Sequence, residues 1–162
     1  MRVRNSIAPI KRPGDIAVAS IHWGANWGYD IPTWQLEFAH SLIDDADVDV
    51  VHGHSSHHVK AIEVYKGKLI IYGSGDLLND YEGISGHEEY RADLSLLYFA
   101  TIDSSTGKLV RLQLMPTQIR NLRINRAVDK DISWLRNMLN REGGRFGTSV
   151  ERGADDRLLL NW

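Results

Sequence analysis

Hydrophobic positions along the 162-residue chain fall into short runs whose spacing switches between that of a strand and that of a helix. The run IAVASIHWG, after Asp15, is apolar and β-branched and ends in His22, Trp23 and Gly24, which predicts a buried strand feeding a loop. Pro32 then suits a first helical turn. TWQLEFAHSLIDDA places Leu36, Ala39 and Ile43 at helical spacing with Phe38, Leu42 and Ala46 beside them, so an amphipathic helix is expected over Thr33 to Asp45. A second buried strand is expected over Val48 to Val51, which completes a span suited to a βαβ unit. The exit loop of that strand is then HGHSSHH, residues 52–58.

Further along, AIEVYKGKLIIYG reads as two strands folded about Lys66 and Gly67, a tight hairpin in which glycine supplies a positive φ. A loop rich in glycine and acid, SGDLLNDYEGISGHEEYRAD, leads to LSLLYFATID and KLVRLQLMP, a second hairpin joined through SSTG. Ile132, Leu135, Met138 and Leu139 give helical spacing to Asp129–Arg141, and Gly143 and Gly144 end it. The tail RLLLNW reads as a final strand. No repeat, low-complexity tract or linker divides the chain, so residues 1–162 are expected to form one domain of the α/β class.

Composition narrows the functions that this pattern could serve. Nineteen basic and twenty-one acidic side chains give a net charge of -2, so no large field is present to hold nucleic acid or an anionic membrane. MRVRNSIAPIKRPGD is basic but lacks an apolar run of signal-peptide length, and no segment is apolar for long enough to span a bilayer. A cytoplasmic location without direct membrane insertion is expected for the chain as it stands. The absence of cysteine excludes disulfides and thiolate ligands, leaving histidine, carboxylate and asparagine for any metal.

Four of the seven histidines lie in HGHSSHH. Neutral imidazole is a good ligand for Zn, Mn, Fe or Ni when several rings converge. His54 and His57 leave the strand together after Gly53, with two small serines between them, and His22 ends the preceding strand of the same βαβ unit. Neighbouring parallel strands put their exit loops on one edge, so His22, His54 and His57 are the candidate metal ligands. His52 and His58 rank below them. A surface loop that is merely rich in histidine is the plain alternative. Trp23, Trp27, Tyr29 and Trp34 surround the His22 loop and suit either core packing or ligand contact. Ser55 and Ser56 lack a Gly-x-Ser-x-Gly elbow, which argues against serine hydrolysis. The basic stretch RNLRINR, residues 120–126, reads as a solvated edge.

SIHWGANWGYDIP, Gln35 and DVDVVHGHSSHHVKAIEVYKGKLIIYGSGDLLNDYEGI together resemble the CapA-type poly-γ-glutamate capsule synthesis proteins, a branch of the calcineurin-like metallophosphatase superfamily. The resemblance runs from Asp15 to the hairpin near Pro116. It implies a partial calcineurin-like sandwich, a βαβ unit followed by β-hairpins and a late helix. Carried over by position, His22 matches the family's His-Trp-Gly element, and Gly53, His54 and His57 match its Gly-His loop. Asp76, after Gly75, stands where many relatives have asparagine, and with Trp23 it is the candidate for substrate contact.

The resemblance also implies elements that do not precede His22: an Asp-x-His pair, a bridging aspartate and an Asn-His pair. The chain is therefore expected to be the carboxyl-terminal portion of such a domain, completed by an amino-terminal half or by a second copy. A two-metal phosphoesterase holds its ions about 3.5 to 4 Å apart on bridging carboxylate. Three neutral histidines supply none, although Asp30, Asp76, Asp80 and Glu82 lie nearby in sequence. The cofactor expected is a divalent Mn, Fe or Zn ion, dinuclear only where other ligands are supplied. Three functions stay open: a metal-dependent hydrolase acting on a phosphoester or a γ-glutamyl polymer, a non-catalytic assembly or transport factor in capsule production, and an inactive fragment.

Overall fold

A computed structural model describes residues 2–80 and 84–162, so Glu82 lies outside the described residues. In chain order the elements are α1 (Arg2–Ile7), β1 (Val18–His22), α2 (Thr33–Ala46), β2 (Val50–His54), β3 (Ile62–Tyr65), β4 (Lys68–Ile71), β5 (Leu94–Asp103), β6 (Lys108–Arg120), β7 (Arg123–Arg126), α3 (Asp129–Gly143), β8 (Ser149–Arg152) and β9 (Leu158–Asn161). They build two sheets. The first has the order β1-β2-β4-β3, with β1, β2 and β4 parallel and β3 antiparallel to β4. The second is antiparallel, β5-β6-β9-β8, with β7 folded back on β6.

Side-chain alternation explains the layering. Val51 and Ile70 point to one side of the first sheet and meet Ala39, Leu42 and Ala46 from α2. Val50, Leu69 and Ile71 point to the other side and meet Leu94, Leu112 and Leu114 of the second sheet, with Ile132, Leu135 and Met138 of α3 closing the same core. Helix α2 ends at Asp47, which takes the left-handed conformation (φ 58) that short polar side chains tolerate. Among the described residues the fold is thus mixed α/β with two sheets and few helices.

The expected βαβ unit is present as β1, α2 and β2. Its second strand is shifted from Val48–Val51 to Val50–His54. The parallel ladder with β1 continues as far as His22 opposite His54, so His52 and His54 belong to the strand and the loop begins at Ser55. Both expected hairpins form, as do the late helix and the final strand. Helix α1 and strands β7 and β8 had no sequence signal of their own. The stretch read as a solvated basic edge is the turn and second strand of a hairpin, and its arginines are exposed.

At the end of the first sheet opposite the histidines, Asp49 is buried and acts as a clamp. Its carboxylate accepts from Lys11 at 2.8 Å, Lys68 at 2.5 Å and the Ala17 amide at 2.9 Å, joining the amino-terminal segment to β4. Gly107, in the loop between β5 and β6, closes over this cluster. A Cβ there would stand 1.9 Å from Asp49 Oδ1, so the approach needs glycine. Burial pushes the Asp49 carboxyl up, but the two lysines and the amide more than offset it and hold it below its ordinary value. A depressed folded-state pKa gives stability that is present above the unfolded value and lost as pH falls through the folded one. Asp49→Asn is expected to cost about 3 kcal/mol, since it leaves two lysines without their buried partner. Urea unfolding at pH 7 and below pH 4 measures this, and the gap between parent and variant should shrink in acid.

Candidate functional site

The carboxyl ends of β1 and β2 bring two of the three expected histidines together. His22 and His54 are register partners, and their rings stand edge to face with centroids 5.3 Å apart. His52 lies on the same face of β2, its ring 5.7 Å from that of His54 and its Nδ1 3.0 Å from Ser20 Oγ. Burial, and then the neighbouring His54, lower the pKa of His52 and keep it neutral.

His57 is held separately. Its amide donates to the Asn26 carbonyl at 3.1 Å, and its Nδ1 lies 2.8 Å from Asp76 Oδ2. An ionised carboxylate only accepts, so Nδ1 carries the proton and the imidazole lone pair is on Nε2. Asn79 donates to the same Asp76 oxygen at 3.0 Å and steadies it. A carboxylate behind a histidine in this way fixes its tautomer and its orientation. This contact puts Asp76 behind a histidine. The Trp27 ring lies 5.4 Å from His57 and stacks on His87 at 4.1 Å, a neighbour that no spacing in the sequence indicated.

Trp23 has the contacts of a core residue. It is buried, donates its indole N–H to the Tyr72 carbonyl at 3.0 Å and stacks on the Tyr72 ring. Gly53 makes this possible, because a Cβ at that position would meet Trp23 Nε1 at 2.3 Å and the Ile71 and Tyr72 carbonyls at 2.7 Å. His58 points inward, fully buried among Trp27, Tyr29 and Tyr90, with Nδ1 donating to the Val59 carbonyl. Burial pushes its pKa down to about 4, so it is a neutral core histidine. Ser56 is also buried and caps the His58 carbonyl at 2.9 Å. Ser55 takes φ 127 at the start of the loop, a conformation that side chains rarely adopt and that tightens the turn between His54 and His57.

The donor set can be tested against a metal ion. Among the described residues, no group of three or more histidines and carboxylates is arranged to hold one. His22 and His54 form a neighbouring pair, and Asp30 and Asp80 are exposed. The Asp30 backbone carbonyl, rather than its carboxylate, is engaged, accepting from buried Lys60 at 2.7 Å. The described residues fit part of a ligand set, with no carboxylate among them placed to complete it. Among the described residues no helix is long and apolar enough to cross a membrane.

The sequence is similar to known bacterial proteins. Residues 1–81, half of the chain, match the family described as "Bacterial capsule synthesis protein PGA_cap". A "probable polyglutamine synthesis accessory protein" of Mycobacterium tuberculosis is 51% identical over 148 residues, which is 91% of this chain and 39% of the relative. The "PGA biosynthesis protein CapA" of Bacillus subtilis is 35% identical over 74 residues, 46% of this chain and 19% of that protein. The "Capsule biosynthesis protein CapA" of Bacillus anthracis is 31% identical over 72 residues, 44% of this chain and 17% of that protein. The chain therefore spans 39% or less of the length of each of these relatives. The matched half contains β1, β2, His22, His52, His54, His57 and His58, and the chain belongs to the bacterial capsule synthesis protein family.

Proposed function

We propose that this chain is the histidine-bearing portion of a capsule-polymer synthesis accessory protein built on a calcineurin-like metallophosphatase sandwich. The observation that carries the reading is the pairing of His22 with His54 across two parallel strand ends. His57, oriented from behind by Asp76, is the third contributor. A divalent Mn, Fe or Zn ion bound there would polarise a phosphoryl or carbonyl oxygen or activate water. Carboxylates from a further polypeptide segment, or from a second copy of the chain, complete the ligand set. The substrate is a phosphoester or a γ-glutamyl polymer. The incomplete set among the described residues favours a second reading, a non-catalytic assembly or transport factor, in which His54→Ala leaves partner binding intact.

Metal uptake tests the first reading. After loading with Zn or Mn, elemental analysis should find an ion in the parent chain and none in His54→Ala/His57→Ala. Equal uptake by the variant would sink the histidine site, and no uptake by the parent would sink metal binding by this chain alone. The tautomer of His57 is a separate test. Nitrogen-15 NMR should show His57 protonated at Nδ1 in the parent, with the Nε2-protonated form growing in Asp76→Ala. An unchanged tautomer in that variant would deny Asp76 its orienting role.

A further inference from the structure

The hairpin of β6 and β7 carries Arg120, Arg123 and Arg126 within seven residues. Arg120 and Arg123 are register partners, so both side chains leave one face side by side, and Arg126 leaves the opposite face of the same strand. Like charges directly opposite each other destabilise a hairpin. Arg91, Arg141, Arg152 and Arg157 each sit on a carboxylate. Among the described residues these three have no ion pair, as is also true of Arg2, Arg4, Arg12, Arg111, Arg136 and Arg145, so what sets the hairpin apart is its three arginines lying together. The turn between the strands is itself strained. Asn121 and Leu122 take φ 54 and 52, and a leucine in the left-handed region at 60% exposure gains little burial in return. Asn125 braces the turn by donating to the carbonyls of Arg120 and Arg123 at 3.0 and 2.9 Å. The result is a stiff positive projection.

Its position is equally specific. The end of β6 pairs with the start of β5, Gln118 opposite Leu94. The start of β5 in turn lines a cavity of about 420 Å³ with His52, Ser74, Gly75 and Leu77. The arginines therefore project from the same end of the molecule as the histidine-bearing strand ends.

The geometry points to this hairpin as a docking site for a polycarboxylate chain, a glutamyl polymer with one free carboxylate per residue. The inference rests on the capsule-polymer reading above and adds where the polymer is gripped. It also separates two chemistries that the relatives' names leave side by side: an amide polymer such as polyglutamine offers guanidinium groups no charge, whereas a carboxylate polymer offers them ion pairs. A charged edge strand also prevents edge-to-edge aggregation, but for that purpose a charge of either sign serves. Polymer docking requires positive charge, so the sign of the charge discriminates between the two roles.

The test is retention of fluorescently labelled poly-γ-glutamate by the full chain at low salt. Comparison samples are the same polymer with its carboxylates amidated and vesicles containing phosphatidylglycerol. Binding is expected for the carboxylate polymer alone, weakening as salt rises. Arg120→Gln/Arg123→Gln/Arg126→Gln should bind about tenfold more weakly, as expected for the loss of three exposed ion pairs. Arg2→Gln/Arg4→Gln, on the distant α1, should bind as the parent does. Arg123→Glu should raise the melting temperature by pairing with Arg120 and still weaken binding, a combination that edge protection does not produce. Equal binding of the amidated polymer, equal loss in the α1 variant, unchanged binding in both hairpin variants, or arginine-dependent capture of vesicles without polymer would each overturn the proposal. Metal uptake by the parent without polymer retention would sink this proposal alone, and polymer retention without metal uptake would sink the metal reading alone, so the two failures are seen separately.

Discussion

The histidine edge depends on how closely two backbones and an indole approach one another at Gly53. Trp23 follows His22 directly, and its ring crosses over Gly53 to reach the Tyr72 carbonyl on the far side. That crossing fixes the height at which β1 and β2 end, and so the level at which His22 and His54 face each other. The hydrogen bond costs little because the indole donor is buried with an acceptor in place. The close approach is what excludes other residues at position 53. A side chain there would push Trp23 out of its stack with Tyr72 and separate the two strand ends.

The opposite end of the sheet is held by charge where the histidine end is held by packing. Asp49 draws Lys11 and Lys68 together, which ties the amino-terminal segment and the loop between β5 and β6 to the start of β2. The second sheet has a comparable tie. Arg91 binds Asp93 through two nitrogens and reaches buried Asp131 on α3, linking the loop before β5 to the helix. Both ties join segments far apart in sequence, and on the histidine face the ion pair seen among the described residues is that of His57 with Asp76.

Local pattern carried much of this architecture. The hairpin at Lys66 and Gly67, the α2 and α3 helices and the βαβ unit all have periodicity and turn residues that agree with their tertiary setting. Helix α1 is short and buries no side chain, and β7 and β8 are four residues each, too brief for alternation to distinguish them from loop. The pairing of His22 with His54 could be anticipated, because parallel strands share an edge. The meeting of His57 with Asp76 could not, because it spans 19 residues of chain and depends on a loop whose path only tertiary packing sets. Trp23 beside a histidine looks the same in sequence whether it faces a ligand or the core, and burial decides between them.

The stretch HGHSSHH is unevenly free to change. Position 53 admits no side chain, position 56 is enclosed, and position 58 must remain a ring of similar size that can be neutral in an apolar setting. Positions 52, 54 and 57 are only partly buried and make contacts through ring atoms that other polar side chains could replace without disturbing the core. Mutational drift would therefore preserve the loop's shape while altering its donors. A single substitution at one of those three positions changes the donors that the edge presents, leaving the fold that presents them intact.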